Sequence, residues 1–255
     1  MIVARSIGEL DLSRDGTIGL VPTMGALHAG HAALFDAARP DCDVLVASIF
    51  VNPTQFSDPA DLTAYPRDLE RDAAFAAAHG VDVVFAPPAA EMYPEGFATW
   101  VEPQGAAEGL ESASRPGHFR GVATVCLKLF NLVRPQIVWF GRKDAQQVAV
   151  VKQLVRDLNV PVEVRVVETA RDHDGVAFSS RNGRLSKEDR LLARAIPRAL
   201  ETRDVDAARA VLAAAGVEPD YVEVADFDGP TLLVAARVGS TRLIDNVPLP
   251  KGARS

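Results

Sequence analysis

The stretch that most constrains the 255-residue chain runs from Gly19 to Arg39, GLVPTMGALHAGHAALFDAAR. A short apolar segment, Gly19 to Val21, gives way to Pro22-Thr23-Met24-Gly25, then to Gly30 and His31 and an apolar-periodic segment with Leu34, Ala37 and Ala38. The order is strand, tight turn, helix. His28 and His31 stand three residues apart where the helix should begin, so both rings can face one side of its first turn. Backbone N–H groups there lack intrahelical partners and attract anions. Gly25 and Gly30 suit a backbone that turns sharply or passes close to a bound group. One histidine near a helix start is ordinary surface or core chemistry, but a glycine-framed pair directly after a strand reads as a phosphate site. Zinc is not expected, because neither HExxH nor a Cys/His cluster occurs.

Charged residues make up 24% and hydrophobic ones 48%, the balance of a globular protein able to bury a large core. The formal charge of -7 argues against a polyanion-binding surface, so no nucleic-acid partner is expected. A small anionic substrate remains compatible with a locally basic cleft. Cys42 and Cys126 are the only cysteines and lie far apart, which indicates no disulfide framework. With no signal-like N-terminus and no run near the roughly 18 apolar residues of a membrane span, the expectation is a cytoplasmic protein without a membrane partner.

Taken in order, Ile2 and Val3 open a segment that turns polar and carries an Asp15-Gly16 turn signal. After the first helix, Val44 to Phe50 reads as a strand buried on both faces. Asn52, Pro53 and Gln55 follow it and make a plausible recognition loop, since ligands in open α/β sheets bind beyond the carboxyl ends of strands. An Asx-type turn explains the same residues. Asp68 and Asp72 stand one helical turn apart if the chain is helical from Arg67; they could share a magnesium ion, or simply be solvated helix charge. Val81 to Phe85 is a further strand, and the Gly/Pro-interrupted connection from Ala89 to Arg115 reads as a lid or surface excursion.

Helix returns at Val122 to Leu132, and Gln136 to Phe140 is a strand leading into Gly141-Arg142-Lys143-Asp144. Val148, Val151, Leu154, Val155 and Leu158 then fall on one helix face. Lys143 and Gln147, four residues apart, can project together from its start, where a lysine could neutralise phosphate charge. Beyond the strand Val162 to Val167, a loop concentrates Ser179, Ser180, Arg181 and Asn182, a set suited to phosphate and also common in exposed loops. Helices at Lys187 to Arg203 and Val205 to Ala215 precede strands at Tyr221 to Val224, Thr231 to Val238 and Thr241 to Asp245. The fold class expected is α/β: a Rossmann-like parallel-sheet domain over 1–177 and a smaller α+β domain over 178–255.

These features converge on a nucleotide site without a P-loop, a kinase signature or a GxGxxG fingerprint, which favours chemistry at the α-phosphate. A nucleotidylyltransferase that stops after transferring AMP fits the histidine pair but leaves Asn52, Gln55 and Gln147 without a role. Nearly the whole chain resembles the pantoate:β-alanine ligase family of the HxGH nucleotidyltransferase superfamily. The resemblance rests on VPTMGALHAGH at Val21, SIFVNPTQF at Ser48, YPRDLERD at Tyr65 and LESASRPGHFRGV at Leu110. It continues in KLFNLVRPQIVWFGRKDAQQ at Lys128, DGVAFSSRNGRLS at Asp174 and RLIDN at Arg242.

The resemblance implies a homodimer that uses ATP and magnesium in pantothenate biosynthesis, on the route to coenzyme A. Pantoate attacks the ATP α-phosphate to give pantoyl adenylate and pyrophosphate; β-alanine then attacks the acyl carbon and releases AMP. It implies an ATP-binding segment of Met24, Gly25, Ala26, Leu27, His28, Ala29, Gly30 and His31, with His28 and His31 near the triphosphate and His31 a proton donor. Gly141, Arg142, Lys143, Asp144, Ala170, Phe178, Ser179, Ser180 and Arg181 look like further ATP contacts, with Lys143 catalytic. Gln55 and Gln147 resemble the pantoate pair, Gln55 also abuts β-alanine, and Asp72 resembles the acidic residue near magnesium. Three departures stand out: Arg142 where the family commonly has Glu, Ala145 where it has an aromatic ring, and an N-terminal segment that looks short enough to reduce or remove its first helix.

Overall fold

The computed structural model describes residues 1–12 and 16–250. Asp15 of the expected turn lies outside them, while Gly16 has φ +121°. The chain divides into two compact units. One comprises Met1–Leu27, His31–Phe140 and Gln146–Val167; the other takes His28–Gly30, Gly141–Ala145 and the residues from Glu168 onward.

The first unit is built on a sheet of β1 (Ile2–Ala4), β2 (Ile18–Thr23), β3 (Val44–Ile49), β4 (Val83–Phe85), β5 (Ile137–Gly141) and β6 (Glu163–Val167), in the order β1-β4-β3-β2-β5-β6. The pairs β1/β4, β4/β3, β3/β2 and β2/β5 are parallel. Because successive strand residues point to opposite faces, Leu20, Val44, Val46 and Val138 enter one apolar layer and Val21, Leu45, Ala47 and Trp139 the other. Helices α1 (Ala29–Ala38) and α2 (Leu69–Ala78) cover the second face through Phe35, Ala38 and Ala76. Helices α3 (His118–Val133) and α4 (Ala145–Asp157) cover the first through Phe119, Leu129, Val148, Val151 and Leu154. Covering both faces is what a parallel sheet of near-continuous apolar strands requires. The chain steps from β2 to β3 and β4 on one side, then returns to β5 on the other. That reversal puts the ligand-binding end of the sheet at the carboxyl end of β2.

Two expectations for this unit change, and that of a reduced or absent first helix holds among the described residues. Ile2 and Val3, read only as the start of a polar segment, form a short edge strand in register with Val83 and Val84; three residues are too few to show a period. Among the described residues between β1 and β2, one 3-10 turn, Ile7–Glu9, stands where the reduced helix was expected. The connection from Ala89 to Arg115 is not a loose lid, for Met92 is fully buried and Ala107 belongs to the core. Its anchor is the buried Gln146, which accepts from Glu111 N–H at 3.0 Å and donates to the carbonyls of Ala106 and Glu108 at 3.1 and 3.0 Å. One amide side chain ties together a connection built only of short helical turns, Ala89–Met92, Gly105–Ala107 and Glu111–Ser114.

The second unit carries an antiparallel meander of β7 (Pro219–Asp226), β8 (Pro230–Val238) and β9 (Thr241–Pro248). Helices α5 (Lys187–Ala193), α6 (Ala195–Glu201) and α7 (Val205–Ala214) supply Ile196, Leu200 and Leu212 to a core shared with Leu232 and Val234. A Ser186/Asp189 capping box starts α5. The single helix expected from Lys187 to Arg203 is broken at Arg194, because Pro197 has no N–H to donate and its ring displaces the carbonyl one turn earlier. The long segment of this unit starts at Glu168, and the unit also takes His28–Gly30 and Gly141–Ala145. Arg171 bridges to Ala177 and reaches Asp245 of β9, which ties the segment to the meander.

Replacing Phe35, which is fully buried, by Ala should cost about 3–5 kcal/mol through lost transfer energy and a residual cavity. Leu158→Ala, at a position 50% exposed, should stay within about 0.5 kcal/mol of the parent. Denaturant midpoints at unchanged m-value measure both.

Candidate active site

In the first unit the loop after β2 is shaped by hydrogen bonds from distant residues. Thr23 Oγ1 donates to the Ser48 carbonyl at 2.6 Å and accepts from Gly25 N–H at 3.1 Å. Gly25 and Ala26 then take positive φ, +81° and +50°, and the N–H groups of Ala26 and Leu27 both donate to Asp72, at 2.7 and 2.8 Å. Asp72 is 1% exposed, in the first turn of α2. A carboxylate taken out of water there is stabilised by two charge-assisted bonds, one on each oxygen. A Cβ at Gly25 would stand 2.8 Å from Asp72 Oδ2, so the glycine is required by the anchor as well as by its φ.

Gln55 is buried beside this loop. Its Nε2 donates to Met24 Sδ at 3.1 Å, and its Oε1 accepts from Asn52 Nδ2 at 3.0 Å. The same Asn52 amide donates to the Gly121 carbonyl at 3.1 Å. The Gln55 carbonyl accepts from His118 Nδ1 at 2.9 Å and from Arg115 at 3.1 Å. The expected amide loop is therefore a locked structure, held from behind by Arg115 and His118. Gln147 follows Gln146 at the start of α4 and is half-buried. A cavity of about 450 Å³ opens beside Met24, lined by Ile49, Val51, Leu62, Leu69 and Asp72 among others; Gln55 and Gln147 are not in its wall. His31 lies within the first turn of α1.

In the second unit, His28 Nδ1 accepts from Gly30 N–H at 3.1 Å. With Nδ1 acting as acceptor, the ring proton sits on Nε2, which makes that atom the donor of a neutral imidazole. The ring stacks on Phe178 at 6.2 Å, and a Cβ on Gly30 would lie 2.9 Å from His28 Cε1. Burial first, and the Lys143 charge second, lower the His28 pKa to about 4. The arrangement is a neutral donor beside a cation, suited to an anion whose charge both groups meet. Lys143 Nζ lies 3.9 Å from Asp144 Oδ1.

Arg142 has an acidic partner of its own, since its Nε donates to Glu168 Oε1 at 2.7 Å. Phe178 N–H donates to the Ala170 carbonyl at 3.1 Å, which brings two expected nucleotide contacts together. Ser179 caps the 3-10 turn Ser180–Arg184 through Arg181 N–H. Ala145 is buried without a ring.

Among the described residues no group of three or more His, Cys, Asp or Glu could hold a metal ion. Both Asp72 oxygens already carry backbone N–H groups. Sequence reasoning missed the anchoring work of Asp72 and Gln146, although both lie inside motifs that it singled out.

A parallel sheet with its switch point at β2, a helix-start histidine and a lysine turn define an α/β enzyme that handles nucleotides. The family model for pantoate-beta-alanine ligase matches residues 3–248. A pantothenate synthetase from Corynebacterium efficiens is 51% identical over 98% of this chain and 99% of its own, and one from Chloroflexus aurantiacus is 48% identical over 96% and 97%. The crystal structure of pantothenate synthetase from Thermus thermophilus superposes with TM-score 0.92 at 45% identity, covering 97% of this chain and 99% of that one. The Francisella tularensis pantoate-beta-alanine ligase, described as complexed with beta-gamma ATP and beta-alanine, gives 0.88 at 37% identity, over 97% of both chains. The chain belongs to the pantoate:β-alanine ligase family. Its reaction is the ATP-dependent condensation of pantoate with β-alanine to pantothenate through pantoyl adenylate.

The lowered His28 pKa makes folding pH-dependent with a definite sign. The unfolded chain takes up this proton near pH 6.5, the folded chain only near 4, so stability falls as pH drops through that window and the contribution is constant outside it. Unfolding free energies of wild type and His28→Gln, measured from pH 7 to 4, should diverge in slope by up to one proton. Parallel slopes would show that the histidine titrates alike in both states.

Proposed function

We propose that the chemistry of the two steps is divided among named groups as follows. ATP is taken by His28, Gly30, Gly141 to Asp144, Ala170 and Phe178 to Arg181, together with Met24 to Leu27, Ala29 and His31. His28 Nε2–H and the Lys143 ammonium meet phosphoryl oxygens, and His31 supplies a further proton. Pantoate is held by Gln55 and Gln147, whose neutral amides bind hydroxyl and carboxylate oxygens without adding charge, and Gln55 also orients β-alanine. The observation that carries this reading is the His28 tautomer: an imidazole kept neutral beside Lys143, with its donor nitrogen determined by Gly30 N–H.

The pantoate carboxylate attacks the α-phosphorus and the bond to pyrophosphate breaks. Lys143 and the histidine donors offset the charge that grows on the departing oxygens. The neutral β-alanine amine then attacks the acyl carbon of the mixed anhydride, and AMP leaves with the bonding pair. Magnesium bound to the ATP phosphates would supply further positive charge there, and Asp72 would act near it through its charge and through the loop that it anchors. The ligands described for the Francisella tularensis protein, beta-gamma ATP and beta-alanine, support the same two-substrate assignment. The enzyme works as a cytoplasmic homodimer in this reading.

Purified enzyme should form pantothenate only with pantoate, β-alanine, ATP and magnesium together, releasing AMP and pyrophosphate. ADP and phosphate as products would sink the adenylation step. Lys143→Ala should slow single-turnover adenylation by roughly 10²-fold or more, the scale of a lost preorganised contact, and His31→Ala should do likewise. Arg142→Glu should keep the chemical step and change only the apparent ATP affinity, in line with its pairing to Glu168. A larger loss in Arg142→Glu than in Lys143→Ala would reverse those two roles. Light scattering on the purified chain checks the dimer.

A further inference from the structure

The RLIDN segment of β9 has no part in the chemistry assigned above, yet its last two residues, Asp245 and Asn246, are each 3% exposed. Asn246 Nδ2 donates to the Arg142 carbonyl at 2.9 Å and to the Lys143 carbonyl at 2.8 Å. One amide nitrogen thus spends both its hydrogens on consecutive carbonyls of the turn that carries Lys143. The orientation is dictated by its neighbours, since turning the amide over would set its oxygen against two carbonyl oxygens.

Asn246 is itself held. Its N–H donates to Asp245 Oδ1 at 2.8 Å, and Asp245 receives both arms of Arg171, at 2.5 and 3.0 Å. Arg171 also donates to the Gly175 carbonyl at 3.1 Å. A buried carboxylate is tolerated there because a two-pronged guanidinium faces it. A continuous chain of hydrogen bonds therefore runs from Arg171 through Asp245 and Asn246 to the backbone of Lys143, all within the second unit.

We propose that Asn246 is the positioning residue of Lys143, its two donors setting where the lysine turn stands so that the ammonium meets the phosphates in the transition state. The inference rests on the assignment of Lys143 to adenylation. A lysine side chain has many rotamers, so a definite ammonium position requires at least that its backbone be still. Asparagine suits this position specifically. Ionised aspartate would bring a negative charge against two carbonyls and no donor, and alanine would leave both carbonyls without this partner.

The test is a double-mutant cycle on the full chain with Asn246→Ala, Lys143→Ala and both together. It reads pyrophosphate release in a single turnover with ATP, magnesium and pantoate, then discharge of preformed pantoyl adenylate by β-alanine. Asn246→Ala should slow adenylation by up to about 10²-fold, the scale of a misplaced reacting group, and should leave discharge nearly unchanged. In the Lys143→Ala background the same change should add nothing, because it acts through the lysine. An additive loss, or undiminished adenylation in folded Asn246→Ala, overturns the inference while leaving the assignment of Lys143 intact. Undiminished adenylation in Lys143→Ala overturns both. If Asn246→Ala does not fold, Asn246→Ser retains one hydroxyl donor. It should then give an intermediate loss confined to adenylation, and equal losses in both half-reactions would refute the positioning role.

Discussion

The carboxylate of Asp72 gives the loop after β2 its shape. Two successive N–H groups, of Ala26 and Leu27, converge on it from a backbone in the left-handed region, and it is nearly fully buried. Left-handed φ at a non-glycine residue such as Ala26 is costly and persists only where surroundings over-determine it. Here the charge-assisted bonds do so, with Thr23 and Ser48 bracing the strand end. The start of α1 follows from that bend.

A second principle is repeated through both units: irregular backbone close to functional groups is tied by buried side-chain amides. Gln146 holds 106–111, Asn52 joins Gln55 to Gly121, and Asn246 holds the two carbonyls of the Lys143 turn. An amide carries donors and an acceptor without charge, so it can satisfy buried backbone at lower desolvation cost than a lysine or carboxylate. Buried charge is held differently: the Asp72 carboxylate by two backbone N–H groups, and Asp245 by Arg171.

Electrostatics at the site follow from this sparing use of charge. Burial and Lys143 keep His28 neutral, so it offers a hydrogen bond without a second cation next to the lysine. Glu168 pairs with the Arg142 guanidinium at 2.7 Å, so the two cations of this turn have different acidic partners, Glu168 for Arg142 and Asp144 for Lys143.

What could be read from the amino-acid sequence was whatever repeats locally or is chemically marked. The apolar runs of β2, β3 and β5 and the 3.6-residue period of α4 specify their elements from neighbouring residues. The glycine-framed histidines announce a turn onto a helix, and the ordered motifs carry the family. Tertiary structure alone decided the rest. It made a strand of Ile2–Ala4 by supplying β4 as partner, packed 89–115 onto the core through Gln146, and joined Asp72 to Ala26 across 46 residues. It also joined Asn246 to Lys143 across 103. Such contacts have no period and no spacing rule, because each depends on two distant segments being brought within hydrogen-bond reach, and that proximity exists only once the sheet and the meander are built.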